Sequence, residues 1–259
     1  MSSAPPPGGP DNSRVGGAGA DLCKLDGTFV SDVVHEHSGI NYTHAHTHTP
    51  TQDLVPLCGP LGLAPSPTQA RQLHDFMALL ARWNGVYNLT AVRDPGAMRI
   101  QHLADCLAVI PALARHRTAG RLLDVGSGGG LPGVVIAIML PGLDVSCVDT
   151  VGKKAAFVRQ LAGDLGLKNL HAVHSRVESV RGAPFDVVIS RAFASLADFV
   201  ALSRPVLGDG GVWLAMKGQR PDAEIAALPD DVDVFHVEPL QVPQLDAQRC
   251  LVWMRIRKT

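Results

Sequence analysis

The chain has 259 residues, of which 46% are hydrophobic and only 5% aromatic, and its formal charge is −1. That supports one sizeable core built mostly from Ala, Val, Leu and Ile, with room for a small cap. No apolar run suggests a membrane span, no basic segment precedes an apolar one at the N-terminus, and Cys23, Cys58, Cys106, Cys147 and Cys250 are scattered. Spacing of that kind argues against a disulfide framework or a metal site, and for reduced thiols in a cytoplasmic protein.

The first 67 residues hold 18 glycines and prolines and show no sustained apolar periodicity. Residues 1–65 therefore read as a disordered, low-complexity leader. Its His35, His37, His44, His46 and His48 lack a nearby cysteine or helical spacing, so no structural metal site is expected. The leader carries two basic residues against six acidic ones, which leaves 21 against 18 over 66–259. The remainder is mildly basic, which permits contact with RNA through a local patch without requiring it.

Order is expected from Ser66, an N-cap followed by Pro67. Leu73, Phe76, Met77, Leu80 and Trp83 recur at helical spacing, and a second helix is expected over 95–112 with Ile100, Leu103, Leu107 and Ile110 inward. Between them, 84–90 reads as a polar link. These helices form an N-terminal helical cap over 66–118. From 119 to 259 strands alternate with helices: strands at 121–125, 144–149, 170–174, 185–190, 211–216, 232–238 and 250–256, helices near 132–140, 153–165, 196–207 and 222–228. Alternation of this kind implies a parallel sheet with right-handed crossovers. The last two strands have no helix between them, which suits an antiparallel hairpin at the sheet edge. The expected fold is α/β and Rossmann-like: a seven-stranded, mostly parallel sheet of the class I methyltransferase kind.

The strongest local signal is Leu122-Leu123-Asp124-Val125-Gly126-Ser127-Gly128-Gly129-Gly130-Leu131-Pro132-Gly133, a strand running into a glycine loop and a helix. Gly128-x-Gly130-x-x-Gly133 matches the dinucleotide fingerprint, a weak signal alone. Two features favour S-adenosylmethionine instead. Asp124 can meet the cofactor's positive amino-acid end and would repel pyrophosphate, and Pro132 removes an amide donor that a phosphate would use. Asp149, ending the second strand, suits ribose hydroxyls under either reading. After the third strand Val177 can stack on adenine, and Glu178 can accept from its exocyclic amine. Lys153 and Lys154 read as solvated helix residues or as part of the same site.

Together these segments resemble the ribosomal RNA small subunit methyltransferase G family, also called the glucose-inhibited division protein B family. The resemblance spans roughly residues 68–258. It rests on the glycine loop, on the 83–94 run Trp-Asn-Gly-Val-Tyr-Asn-Leu-Thr-Ala-Val-Arg-Asp, on His102-Leu103-Ala104-Asp105-Cys106-Leu107, on Ser175-Arg176-Val177-Glu178, on Ile189-Ser190-Arg191-Ala192-Phe193-Ala194, and on Met216-Lys217-Gly218. Cys106 stands where relatives carry serine. The resemblance implies methyl transfer from S-adenosylmethionine to N7 of one guanine in 16S ribosomal RNA, the family's target being guanine 527. It implies that Gly126 and Leu131 line the methionine end, Val177 and Glu178 the adenine, and Arg191 the pocket mouth. The partner is then 16S ribosomal RNA or the small subunit; no membrane partner is expected, and a monomer is the default.

Guanine N7 bears a lone pair and no proton, so the displacement needs no general base, only proximity and orientation. Arg191 and Lys217 end the fourth and fifth strands and are expected to hold O6 or phosphates. Asn88 and Tyr87 are expected at the base, with Arg93, Arg99 and His102 along backbone phosphates. Competing readings are an NAD-dependent oxidoreductase, a methyltransferase acting on another RNA, a protein or a small molecule, and a binding module that has lost catalysis. Asp124 and the edge hairpin disfavour the first. A basic mouth at Arg93, Arg99, Arg191 and Lys217 disfavours small-molecule and protein substrates, and the intact loop with Asp149 and Glu178 disfavours the third.

Overall fold

The structure, a computed structural model, describes residues 50–257; the leader histidines and Cys23 lie outside them. The first described element corrects the expected start of order. Helix α1 (Pro50–Cys58) buries Leu54, Leu57 and Cys58, so part of the segment assigned to the leader belongs to the core. Its prolines hid it: Pro50 suits a first helical position, but Pro56 sits inside the helix, and Gly59-Pro60 follow at once. The chain then turns through Gly62 in the left-handed region (φ 67°) into α2 (Pro67–Tyr87).

Ser66 caps α2 as expected. Its hydroxyl accepts from the Gln69 amide while the Gln69 side chain accepts from the Ser66 amide. The helix runs on to Tyr87, through half of the segment expected as a link, because Asn88 adopts a left-handed conformation (φ 51°) and ends it only there. The second helical stretch is interrupted. It begins as α3 (Pro95–Met98), capped by Asp94, and widens into π-type turns over Arg99–Ala104. It closes as α4 (Asp105–Leu107) and resumes as α5 (Ile110–His116). The stretch Pro95–His116 is long enough, and apolar enough on average, to cross a membrane, although Arg99, His102 and Asp105 interrupt it; 67% of its window is buried inside the fold.

The alternating part follows as expected: β1 (Gly120–Val125), α6 (Gly133–Met139), β2 (Leu143–Asp149), α7 (Gly152–Asp164), β3 (Leu170–His174), β4 (Phe185–Ser190), α8 (Leu196–Ser203), β5 (Leu207–Lys217), α9 (Asp222–Ala226), β6 (Val232–Pro239) and β7 (Cys250–Ile256). Among the described residues they form one seven-stranded sheet in the order β3-β2-β1-β4-β5-β7-β6. The first five strands are parallel; β7 pairs antiparallel with β5 and with β6. β1 and β4 are covered on both faces, which is why Leu122-Leu123 and Val187-Val188-Ile189 read as continuous apolar runs. The order reverses between β1 and β4, and ligands of such sheets bind outside the carboxyl ends of the strands at that reversal.

One apolar core joins α1, α2, α5, α6 and α7 to one sheet face, so the helices expected as a cap share their interior with the sheet. A second cluster, around Phe199, Trp213 and Met254, fills the other face. There the buried Trp213 indole N–H donates to Ser203 Oγ at 3.0 Å. Ser203→Ala would leave that donor unpaired in a dry site, so it is expected to lower unfolding free energy by about 1–3 kcal/mol. Urea denaturation checks this; a variant as stable as the parent would place water or a repacked acceptor at the indole.

Candidate functional site

A cavity of about 410 Å³ opens at the carboxyl ends of β1 to β4. Gly126, Asp149, Val177, Glu178, Ala192 and Phe193 line it, with Lys154 and Arg176 at its border. Val125, Val148 and the buried Val177 give it an apolar wall, while the Asp149 carboxylate supplies a polar end. Its size is that of small-ligand sites. Asp149 is 7% exposed and already oriented: one oxygen accepts from Gly128 N–H at 3.0 Å, the other from Val151 N–H at 2.9 Å, and Lys154 Nζ lies 3.9 Å away. Thus Lys154 faces the site, a role the sequence left undecided.

The glycines of the loop divide by function. Gly126 is exposed at the cavity with φ 70°, and a Cβ there would meet Ala192 Cβ at 3.3 Å, so the β1 and β4 loops approach closely. Gly130 faces inward, where a Cβ would stand 2.4 Å from Val134 Cγ2, and one at Gly129 would stand 2.8 Å from Leu80 Cδ1. Leu131 is buried at 4% exposure and, with Gly128 and Gly130, is absent from the cavity wall. These residues shape the loop from beneath.

Asp124 departs from its expected role. It is fully buried; Oδ2 accepts from the Gly133 amide at 2.8 Å, and Oδ1 has no partner among the described residues. Burial pushes its pKa up to about 7, partly offset by the Gly133 hydrogen bond and Arg191. The carboxyl ties the loop to the start of α6 and does not reach the cavity, because the loop closes over it.

The expected basic mouth is also partly dismantled. Lys217 is consumed: Nζ lies 2.7 Å from Glu224 Oε2 and donates to the carbonyls of Phe193 and Ala194 at 3.2 and 3.4 Å. It is a strut for the β4–α8 loop, with no free charge to offer a phosphate. Arg99 lines a different, apolar cavity of about 220 Å³ beside Leu54, Met77 and Met98. His102 is buried at 7% exposure, so it cannot track phosphates; Nε2 lies 2.5 Å from Thr90 Oγ1 and Nδ1 3.5 Å from Arg191 Nη1. Burial, then Arg191, push its pKa below the usual histidine value. Arg93 and Asn88 are exposed and bonded to each other, Nη2 to Oδ1 at 2.9 Å. Tyr87 is 41% exposed, beside Trp83 with ring centroids 5.0 Å apart.

Arg191 sits at the end of β4 as expected, but its partners are in the helical region. Nη1 donates to Asp105 Oδ2 and to the Gln101 carbonyl, each at 3.3 Å. Asp105, 4% exposed, also accepts from Arg249 Nε at 3.0 Å. Sequence reasoning missed this carboxylate and Arg249. Asp105 stood in a quoted motif, but its partners are 86 and 144 residues away. Asn84 was likewise read as part of a link. It is buried and pins the 88–92 loop, accepting from Thr90 N–H and donating to the Val92 carbonyl, both at 2.8 Å.

With this geometry in hand, comparison with known proteins is specific. The sequence profile described as rRNA small subunit methyltransferase G matches residues 69–252. The ribosomal RNA small subunit methyltransferase G of Acidovorax sp. (strain JS42) is 62% identical over 205 residues, covering 75% of this chain and 90% of that protein. Proteins of the same name from Methylibium petroleiphilum and Bordetella avium are 60% and 55% identical, covering 72% and 79% of this chain and 85% and 92% of theirs. Among solved structures, the glycopeptide N-methyltransferase MtfA superposes with a TM-score of 0.51 at 14% identity, over 64% of this chain and 99% of that one. A Burkholderia thailandensis 1,6-didemethyltoxoflavin-N1-methyltransferase superposes with a TM-score of 0.50 at 16% identity, over 71% and 90%. These two likenesses concern the fold. With the profile and the close relatives covering nearly all the alternating part, the chain belongs to the ribosomal RNA small subunit methyltransferase G family, S-adenosylmethionine-dependent enzymes that methylate ribosomal RNA.

Proposed function

We propose that the chain methylates N7 of one guanine in 16S ribosomal RNA, guanine 527 by family resemblance, with the β1–β4 cavity holding S-adenosylmethionine. The observation that carries the reading is the Asp149 carboxylate, fixed by two backbone amides in the wall of a cavity that Val177 and Glu178 also line. A carboxylate so held accepts a pair of ribose hydroxyls, while Val177 covers the adenine ring and Glu178 takes its amine. Gly126, without a side chain, lets the cofactor pass over the β1 loop. S-adenosylmethionine brings an electrophilic methyl group and no proton problem.

What the chain must add is orientation. Guanine N7 needs no base, and both ring nitrogens of His102 already have neighbours in Thr90 and Arg191. Arg191 and Arg176 are the cations assigned to the base or its phosphates, with Asn88 and Arg93 as further candidates. An enzyme with this substrate works where ribosomes are assembled, in the cytoplasm, as a monomer docking on the subunit. Mapping of 7-methylguanosine in 16S ribosomal RNA from cells with and without the gene tests the reading. One N7-methylated guanine should vanish with the gene; loss of a methyl group at another atom or in another RNA would replace it.

A further inference from the structure

We propose that the chain carries a second RNA contact, separate from the methyl-transfer cleft: a ring-lined cavity at the β6 edge that seats one unpaired nucleobase of the ribosomal RNA substrate. The cavity measures about 400 Å³ and lies between α5 and the β6–β7 pair, lined by Arg115, His116, Phe235, His236, Glu238 and Trp253. It shares no lining residue with the cleft at the carboxyl ends of β1 to β4.

The backbone is bent to build it. In a regular strand Phe235 and His236 would point to opposite faces. Here Val234 pairs with Met254 and His236 with Trp253, so Phe235 is an extra residue, and the bulge brings both rings to one cavity. Across from them Trp253 is 4% exposed, and its indole Nε1 has no hydrogen-bond partner among the described residues. The other buried side-chain atom in that condition is Asp124 Oδ1, beneath the glycine loop. His116 meets Trp253 edge-on with centroids 5.0 Å apart, and Phe235, 38% exposed, lies 6.1 Å from Trp253.

The charges say which part of a nucleotide fits. Arg115 is paired with Glu238, and Arg255, 4.7 Å from the Phe235 ring centre, is paired with Asp233 at 2.8 Å. Burial and Arg117 hold the His116 pKa below its usual value, so that ring is neutral. With its cations balanced, the cavity is poorly suited to a phosphate. Exposed ring surface at Phe235 and His116, an indole donor with no partner, and a rim offering both donors (Arg115, His236) and an acceptor (Glu238) suit a planar base with a mixed hydrogen-bonding edge. RNA is the source at hand for an enzyme of this family.

Filter binding of the full chain to deproteinised 16S ribosomal RNA tests this. Phe235→Ala should weaken binding about tenfold, equivalent to about 1.4 kcal/mol, and Phe235→Trp should keep it. Trp253→Phe keeps a ring and deletes the donor, and should weaken binding about threefold or more. Because the contact is made by rings, the loss should be the same at 50 and 200 mM salt, with the salt slope unchanged. The affinity for S-adenosylhomocysteine should not move, which separates the contact from the cleft and from damage to the fold. RNA binding by Phe235→Ala equal to the parent overturns the proposal. So does saturation of the cavity, followed by Trp253 fluorescence, by adenosine or guanosine monophosphate or by an aromatic peptide while RNA affinity stays unaffected: the ligand would then be a free nucleotide or a protein.

Discussion

Arg191→Lys is expected to lower methyl transfer to ribosomal RNA at least about tenfold, about 1.4 kcal/mol of transition-state free energy, in a protein that stays folded. The hydrogen bonds of the guanidinium to the helical region all run through Nη1, to Asp105, Gln101 and His102. That anchors the fork and leaves Nε and Nη2 without a partner among the described residues, open to the proposed contact with substrate. A lysine has one nitrogen, which the buried Asp105 would capture, so the charge survives while the fork is lost. Stability should change little, because Asp105 keeps Arg249 as a partner at 3.0 Å. Single-turnover methylation and S-adenosylhomocysteine affinity check the point. If Arg191→Lys and Arg191→Ala both keep near-normal turnover and cofactor affinity, Arg191 is only a cross-brace between β4 and the helices.

Asp124→Asn is expected to abolish a loss of stability that the cofactor-free parent undergoes as pH rises from about 4 to 7. The folded carboxyl titrates at about 7, against 3.8 ordinarily. Below about pH 4 both states hold the proton. Between about 4 and 7 the unfolded chain has released it and the folded chain has not. Stability therefore falls as pH rises through that window and levels off above it, a total on the order of 4 kcal/mol. Asparagine has no charge to bury and still offers an oxygen to the Gly133 amide. Between pH 5 and 8 the variant should gain about 3 kcal/mol on the parent in urea denaturation. Parallel stability curves would show that water reaches Oδ1 and keeps the carboxylate charged.

The sheet was legible because its strands are periodic or continuously apolar: 170–174, 185–190 and 250–256 agree with their expected bounds. Helix ends were less so. The left-handed Asn88 and the π-type turns over Arg99–Ala104 depend on what the backbone packs against. At the candidate site, Asp149, Val177 and Glu178, named from position along the sheet, and Gly126, named from the family resemblance, do meet in one cavity. Position at a strand end follows from pattern. The fate of a charge does not: whether Lys217 faces solvent or Glu224, and whether Asp124 faces a ligand or a backbone amide, depends on partners that only the folded chain supplies. Asp105 was invisible for the same reason.

Because β7 lies between β5 and β6, the order in which strands are synthesised differs from the order in which they pair. A nascent chain that has emerged through Pro239 can assemble β1 to β5, but β5 then ends in an open edge, and β6 has nothing to join. Both wait for Leu251, Val252, Trp253 and Met254, all buried once in place. During that interval an apolar strand edge is exposed beside the ribosome, the circumstance in which newly made chains pair wrongly with one another. A premature stop just before Cys250 would make that interval permanent. Such a product would be drawn to chaperones or aggregates, although it contains the whole glycine loop and every residue assigned to the cofactor.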